Sequence, residues 1–334
     1  MGALATLWII AMKAYFCRIY GEPSVLELVD TTKPIPKDDE ILVRVHATSV
    51  TSGDVRVRSL EVPAGLGFIA RLMLGFTKPR QPILGTELAG VVEAIGSTVT
   101  RFNVGDDVFA FPGGKMGCYA EYRTMKENGP VMHKPASLSF AEAASLCFGG
   151  FAAMDFLRKA EIKNGGKILI IGASGGVGTA LVQLAKYSGA DVTAVTSSAN
   201  VNLVRSLGAD TVIDYRLEDF VQGDVHYDVI MDVVGATSFG ACKHKLIKTG
   251  RYAPIAGGIG DILAMLWAPL ITGKKVIAGP AEERVEYLAQ IADLAASGVL
   301  KPVIDRSYSF AQMVEAHRYV DTGRKKGSVV IVLS

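Results

Sequence analysis

Gly172-Ala173-Ser174-Gly175-Gly176-Val177-Gly178 places four glycines in seven residues, a backbone bare enough for a pyrophosphate to approach closely. Such a run alone is often only a turn. Here the apolar stretch Lys167–Ile171 leads into it, and Gly176–Tyr187 follows with Val177, Leu181, Leu184 and Ala185 on one helical face. Strand, glycine turn and helix in that order aim free N–H groups and a helix dipole at an anion. A dinucleotide is therefore expected on Gly172, Ala173, Ser174, Gly175, Gly176 and Val177.

Which dinucleotide depends on the next strand, Asp191–Val195. A site for NAD places Asp or Glu about 20 residues beyond the glycine turn, where it accepts from the ribose 2′-OH. This chain has Thr196-Ser197-Ser198-Ala199 instead. Hydroxyls can donate to a 2′-phosphate that a carboxylate would repel. Tyr215, just past the third strand, adds another hydroxyl. The expected cofactor is NADPH, held by Thr196, Ser197, Ser198 and Tyr215. The competing reading makes Ser197 or Ser198 an N-cap for the following helix, and no Arg or Lys stands at Ala199 to clamp a phosphate.

The elements that must position this loop are legible as a pattern. From about Ser137, Ala141–Arg158 reads as helix. Then Lys167–Ile171, Asp191–Val195, Thr211–Ile213, Tyr227–Val233, Arg251–Ile255 and Lys275–Ile277 read as strands, with helices or turns between most of them. That alternation predicts a doubly wound parallel sheet. The first third is different. Glu40–His46 alternates apolar and polar residues, Leu88–Ile95 is rich in Gly and Val, and Val104–Phe111 carries the turn Gly105-Asp106-Asp107. Short strands with Gly and Pro between them predict a partly closed, mostly antiparallel barrel. Glu283–Ala296 reads as a helix ending at Gly298, and Ser328–Leu333 as a strand that the pattern leaves unassigned.

Bulk properties exclude several function classes. The chain has 334 residues, enough for two domains, and 49% of them are apolar. Its net charge is +2 with no long basic block, so nucleic acid is not an expected partner. The cysteines Cys17, Cys118, Cys147 and Cys242 are scattered without a C-x-x-C pair, which suggests reduced thiols and a cytoplasmic protein. No apolar run reaches the roughly 18–20 residues of a membrane-spanning helix. Residues 1–11 lack the basic start and cleavage site of a signal peptide and are read as an N-terminal extension before Met12-Lys13-Ala14.

Four segments together resemble the medium-chain dehydrogenase/reductase superfamily, in its zinc-independent quinone oxidoreductase branch. They are Gly85-Thr86-Glu87-Leu88-Ala89-Gly90-Val91-Val92, Gly105-Asp106-Asp107-Val108, Gly172–Gly178, and Val50-Thr51-Ser52-Gly53-Asp54 followed by Arg58. The resemblance implies a catalytic GroES-like domain from residues 12–136 and 281–334. A Rossmann dinucleotide-binding domain, 137–280, is inserted within it. It also implies a homodimer built through the edge of the cofactor sheet. In zinc-dependent relatives a Cys, a His and a second Cys hold the catalytic metal. The matching positions here are Thr51, Thr86 and Phe148, with Cys147 one residue away. Neither these residues nor the five unpaired-looking histidines make a donor set, so no zinc is expected.

Without a metal, a developing oxyanion must be stabilised by hydrogen bonds, or the substrate must already be electrophilic. Quinones and α,β-unsaturated carbonyls meet that condition. The resemblance puts Thr51 and Asp54 near the nicotinamide, as candidates to polarise substrate or relay a proton. Alternatively they only satisfy backbone groups of their loop, and Arg58 is expected to form an ion pair that holds it. Leu66–Phe76 and Ile259–Ile271 are unusually apolar. Either they wall a substrate pocket with Phe68, Met73, Met265 and Trp267, or they are a core helix and part of a dimer interface. The function expected is NADPH-dependent reduction of an apolar quinone or enone. The alternatives are an NADP-linked alcohol dehydrogenase or carbonyl reductase, and a catalytically silent dinucleotide-binding partner protein.

Overall fold

The computed structural model describes residues 11–63 and 65–333, so most of the expected extension at 1–11 lies outside the described residues. Two sheets carry the molecule. The first lobe opens with a hairpin-like pair, β1 (Ala11–Cys17) and β2 (Leu26–Thr32). Its main sheet is built on β3 (Glu40–Val50), which runs four residues beyond the alternating stretch seen in the sequence. Two helices follow, α1 (Ser52–Ser59) and α2 (Gly67–Leu74), then β4 (Leu88–Ile95), β5 (Asp107–Ala110), β6 (Tyr122–Lys126) and β7 (Val131–His133). The pairs β3–β4, β4–β5, β5–β7 and β3–β6 are all antiparallel.

The chain then crosses on α3 (Phe140–Ala144) and α4 (Cys147–Ala160). The second sheet takes β8 (Lys167–Ile171), α5 (Gly176–Tyr187), β9 (Asp191–Thr196), α6 (Val201–Ser206), β10 (Thr211–Asp214), β11 (Tyr227–Asp232), α7 (Phe239–Cys242), β12 (Leu246–Pro254), α8 (Ile259–Thr272) and β13 (Lys275–Val276). Its order is β10-β9-β8-β11-β12-β13, every pair parallel. The order reverses between β8 and β11, which opens a crevice at their carboxyl ends. After α9 (Val285–Ala296) the chain returns to the first sheet through β14 (Ile304–Ser309), α10 (Met313–Asp321) and β15 (Ser328–Val332). β15 pairs antiparallel with β3 and parallel with β14, which places the tail that the pattern could not assign.

The sheets are joined by a shared core. Phe109 and Phe111 of the first lobe pack with Phe151 and Phe156 of α4 and Ile168 and Ile170 of β8. A second cluster, including Tyr15, Leu84, Leu88, Phe102, Val108 and Ile331, lies within the first lobe alone. At about 25 cal/mol per Å² of apolar surface, such continuous burial fixes the relative placement of the sheets.

Neither apolar segment is a core helix, and both leave an apolar face outward. α2 has no buried residue, and in α8 only Ala264 and Ala268 are buried. Phe68 is 71% exposed and Met73 69%, so they belong neither to a core nor to a pocket wall. Met265 and Trp267 are also exposed. The apolar content that reads as burial in the sequence is turned outward here.

Arg58 meets expectation. It is 2% exposed, and its guanidinium donates to both oxygens of Asp321 at 2.8 and 2.7 Å and to the Gly21 carbonyl at 2.9 Å. This ties α1 to α10 across 263 residues of chain. Arg58→Ala is expected to cost about 3–5 kcal/mol of stability, read as a lower denaturant midpoint, because it strands a partly buried carboxylate.

Candidate functional site

The glycine turn adopts the backbone that its sequence requires. Gly172 has φ +83°, and a Cβ on Gly178 would stand 2.2 Å from the Gly172 carbonyl. Only glycine permits that turn and that approach of α5 to β8. Gly175 is the N-cap of α5 and offers no side chain to the first turn, which leaves N–H groups for an incoming phosphate. Around the loop lies a cleft of about 820 Å³, whose lining includes Gly172, Ser174, Gly175, Thr196, Ser197 and Tyr215. These shapes fit a dinucleotide.

Each residue expected at the ribose end can be placed. Thr196 donates to the Ser174 hydroxyl at 3.0 Å, as does Asn200. Ser197 occupies the N-cap position of the next turn but forms no cap hydrogen bond, so the capping alternative fails for it. Ser198 bonds the Asp214 carboxyl, whose pKa that contact lowers. Tyr215 is 55% exposed on the rim. Ala173 is fully buried beneath the loop and Val177 faces the neighbouring catalytic cleft, so neither touches the ribose end.

The missing cation is supplied from elsewhere. Arg216, Arg324, Lys325 and Lys326 all line the same cleft. Arg216 directly follows Tyr215 and was legible in the sequence. The other three were not, because they lie about 150 residues beyond the loop and reach it only through β15. Gly327 N–H donates to the Ser174 carbonyl at 2.8 Å, and Lys325 donates to the Gly327 carbonyl at 2.6 Å. Lys325 Nζ stands where a Cβ on Gly176 would come within 3.2 Å of it. Burial pulls its pKa down to about 8, against the pull of Glu87.

The second cluster lies in the first lobe. Thr51 caps α1: its hydroxyl accepts from Asp54 N–H at 3.2 Å, and Asp54 accepts from Thr51 N–H at 2.8 Å. The structural reading of the pair is thus present. The Thr51 hydroxyl also donates to Asp54 at 2.6 Å and lies 3.5 Å from the Thr86 hydroxyl. Asp54 is fully buried, and burial raises its pKa to about 6, opposed by hydrogen bonds from Thr51, Gly85 and Tyr119. Tyr119 contacts His317 at 3.2 Å, and burial drops that imidazole to about 3, which keeps it neutral. Glu87 is 1% exposed, receives Phe148 N–H at 2.6 Å and the Ser49 hydroxyl, and is pushed by burial up to about 7. Glu87, Tyr119 and His317 escaped the sequence reading.

Beside this cluster, Ser52 and Gly53 line a smaller cavity of about 280 Å³ with Phe111, Phe148, Val177, Val233 and Ile255. It opens at the carboxyl ends of β11 and β12, where open α/β sheets take their ligands. Thr51, Thr86 and Phe148 do meet here, and two hydroxyls beside a phenyl ring do not form a zinc donor set. Among the described residues no cluster of three His, Cys, Asp or Glu side chains could hold a metal.

The chain is similar to known proteins along nearly its whole length. A family model for an alcohol dehydrogenase GroES-like domain matches residues 37–136, and one for a zinc-binding dehydrogenase matches residues 207–331. The 2-methylene-furan-3-one reductase of Solanum lycopersicum is 33% identical over 96% of this chain and 79% of its own. An NADPH-dependent alkenal/one oxidoreductase, chloroplastic, of Arabidopsis thaliana is 30% identical over the same shares. The solved quinone oxidoreductase of Coxiella burnetii superposes with a TM-score of 0.86 at 31% identity, covering 97% of this chain and 100% of that one.

Asp54 and Glu87 make stability depend on pH. A buried carboxyl with a raised pKa is most stabilising when protonated. Its contribution is complete below the unfolded pKa near 4 and is lost as pH rises through about 6 for Asp54 and about 7 for Glu87. Denaturant titrations of wild type and Asp54→Asn from pH 4 to 7 are expected to differ in slope. The wild type should lose about 2 kcal/mol more than the variant between pH 4 and 6.

Proposed function

Because this chain belongs to the quinone-oxidoreductase-like branch of the medium-chain dehydrogenase/reductase superfamily, we propose that it reduces quinones or α,β-unsaturated carbonyls with NADPH and without zinc. The observation that carries this reading is the apolar cavity beside Thr51 and Asp54, opening next to the dinucleotide cleft. The lining suits an apolar, already electrophilic substrate, and the Thr51–Asp54 hydroxyl–carboxyl pair next to Ser52 and Gly53 suits proton delivery rather than metal coordination. The division into 12–136 with 281–334 and 137–280 goes with this reading. So does a homodimer through the outer edge of β13. Four buried, free cysteines accord with a reducing cytoplasm. Among the described residues no helix is long and apolar enough to cross a membrane.

When bound, the cofactor supplies a hydride. Gly172–Val177 would hold its pyrophosphate, with Lys325 at the loop. Thr196, Ser197, Tyr215 and Arg216 would surround the ribose end, with Ser198 turned to Asp214, and the added cation there favours a 2′-phosphate. At the other end, the Thr51 hydroxyl faces Thr86 and donates to Asp54. With Asp54 protonated, that contact reverses: Asp54 gives its proton to the Thr51 oxygen as the Thr51 hydroxyl proton passes to the substrate, which leaves Asp54 ionised. Phe148 and Phe111 exclude water from that exchange.

The direct test follows loss of reduced-nicotinamide absorbance with a quinone, an enone and a simple aldehyde. Turnover of the first two is expected; turnover of none would favour the silent binding protein. Faster use of NADH than NADPH would overturn the cofactor assignment. Arg216→Ala is expected to raise KM for NADPH about tenfold while leaving KM for NADH nearly unchanged. Thr51→Val should lower kcat about 100-fold with little change in KM for NADPH, seen in steady-state kinetics.

A further inference from the structure

Arg56 lies on α1 two residues beyond Asp54, and it is the charged group that the proposed chemistry does not use. Its guanidinium lines the small cavity of about 280 Å³ and also a second cavity of about 650 Å³. Ala256 is the other residue common to both linings, so Arg56 stands where the two spaces meet. Three other partly covered arginines of this chain are held, whereas Arg123 keeps a buried Nε without a partner. Arg58 is clamped on Asp321, Arg158 is bonded to Asp155 and Tyr287, and Arg251 is paired with Glu161. Arg56 has no hydrogen-bond or ion-pair partner among the described residues. Burial alone lowers its pKa, with no carboxylate offsetting that effect.

The acids around both cavities are committed elsewhere or face solvent. Glu282 is bound by Arg158 and Arg284. Glu283 accepts Gly114 N–H at 3.0 Å and is pushed toward its neutral form by burial. Asp261 caps α8 through Gly258 N–H, and Glu61 is exposed on the rim. A partly desolvated cation without a counter-ion is costly unless a ligand provides one. The cofactor's phosphates are not that ligand, because Arg56 does not line the dinucleotide cleft. The apolar walls on one side, Phe148, Phe151, Val233 and Ile255, fit a hydrophobic reducible body.

From this geometry we infer that the substrate is an anionic enone or quinone, whose carboxylate is held by Arg56 while its reducible part lies in the apolar cavity. This rests on the reductase reading and names the substrate class of the same site. The guanidinium fork can meet a carboxylate with two parallel hydrogen bonds, which an ester cannot reproduce.

The test compares benzoylacrylate with its methyl ester as substrates, using the full chain and NADPH. Wild type is expected to prefer the acid at least about tenfold in kcat/KM. Arg56→Gln should bring the acid-to-ester ratio near one, and Arg56→Lys should restore part of it. In parallel, calorimetry on protein loaded with NADP+ measures binding of the saturated acid, benzoylpropionate. Its Kd should weaken about tenfold in Arg56→Gln. Equal use of acid and ester by wild type would overturn the proposal, as would an unchanged ratio with a raised KM for NADPH in Arg56→Gln. If neither probe nor any quinone is reduced but benzoylpropionate still binds through Arg56, the anion site stands and the reductase reading falls.

Discussion

The hydrogen bond from Gly327 N–H to the Ser174 carbonyl joins the two lobes at the point where the phosphate loop turns. A single bridge between Gly175 and Gly327 extends the contact. The bond is modest in energy, on the order of 1 kcal/mol, but its placement governs much of the site. It brings β15 against the loop, and with it Lys325. It also sets the width of the cleft between the dinucleotide turn and the catalytic lobe. Since β15 pairs with β3, the strand that ends one residue before Thr51, the same sheet leads to both Lys325 at the glycine turn and the Thr51 hydroxyl.

The catalytic cluster rests on desolvation. Asp54 and Glu87 are buried carboxyls without a cation in direct contact, and each is supplied with N–H and O–H donors instead. Those donors limit how far burial raises the two pKa values, so both groups titrate near neutrality rather than remaining permanently neutral. Thr51 and Thr86 present hydroxyls here, and the titratable acids Asp54 and Glu87 lie beside them. Neutral His317 and Tyr119 close the cluster from the core side without adding charge.

Much of this was legible in the sequence. Leu88–Ile95, Lys167–Ile171 and Gly176–Tyr187 fall on the residues expected, because their periodicity and flanking glycines are strong and local. Boundaries moved where tertiary pairing extends a strand. β3 reaches Val50 because β15 lies beside its far end, and β12 begins at Leu246 because β11 pairs there. The single helix expected over Ala141–Arg158 is two, broken between Ala144 and Cys147. The helix expected from Glu283 begins at Val285, since Glu282 and Glu283 bind Arg158 and Gly114 instead. α2 and α8 are not core helices, because hydrophobicity alone does not say which way a helix faces.

For the site, the sequence by itself determined the glycine turn, the uncharged run Thr196-Ser197-Ser198-Ala199 and the absence of a zinc donor set at Thr51, Thr86 and Phe148. Each depends on neighbours within a few residues or on the kind of side chain present. Only the tertiary structure decided which distant groups complete them: Lys325 at the loop, Tyr119 and His317 behind Asp54, and Arg56 between two cavities. The physical reason is that desolvation and proximity are properties of packing. Lys325 and Arg56 lose water because of how other segments pack around them, and no spacing along the chain records that.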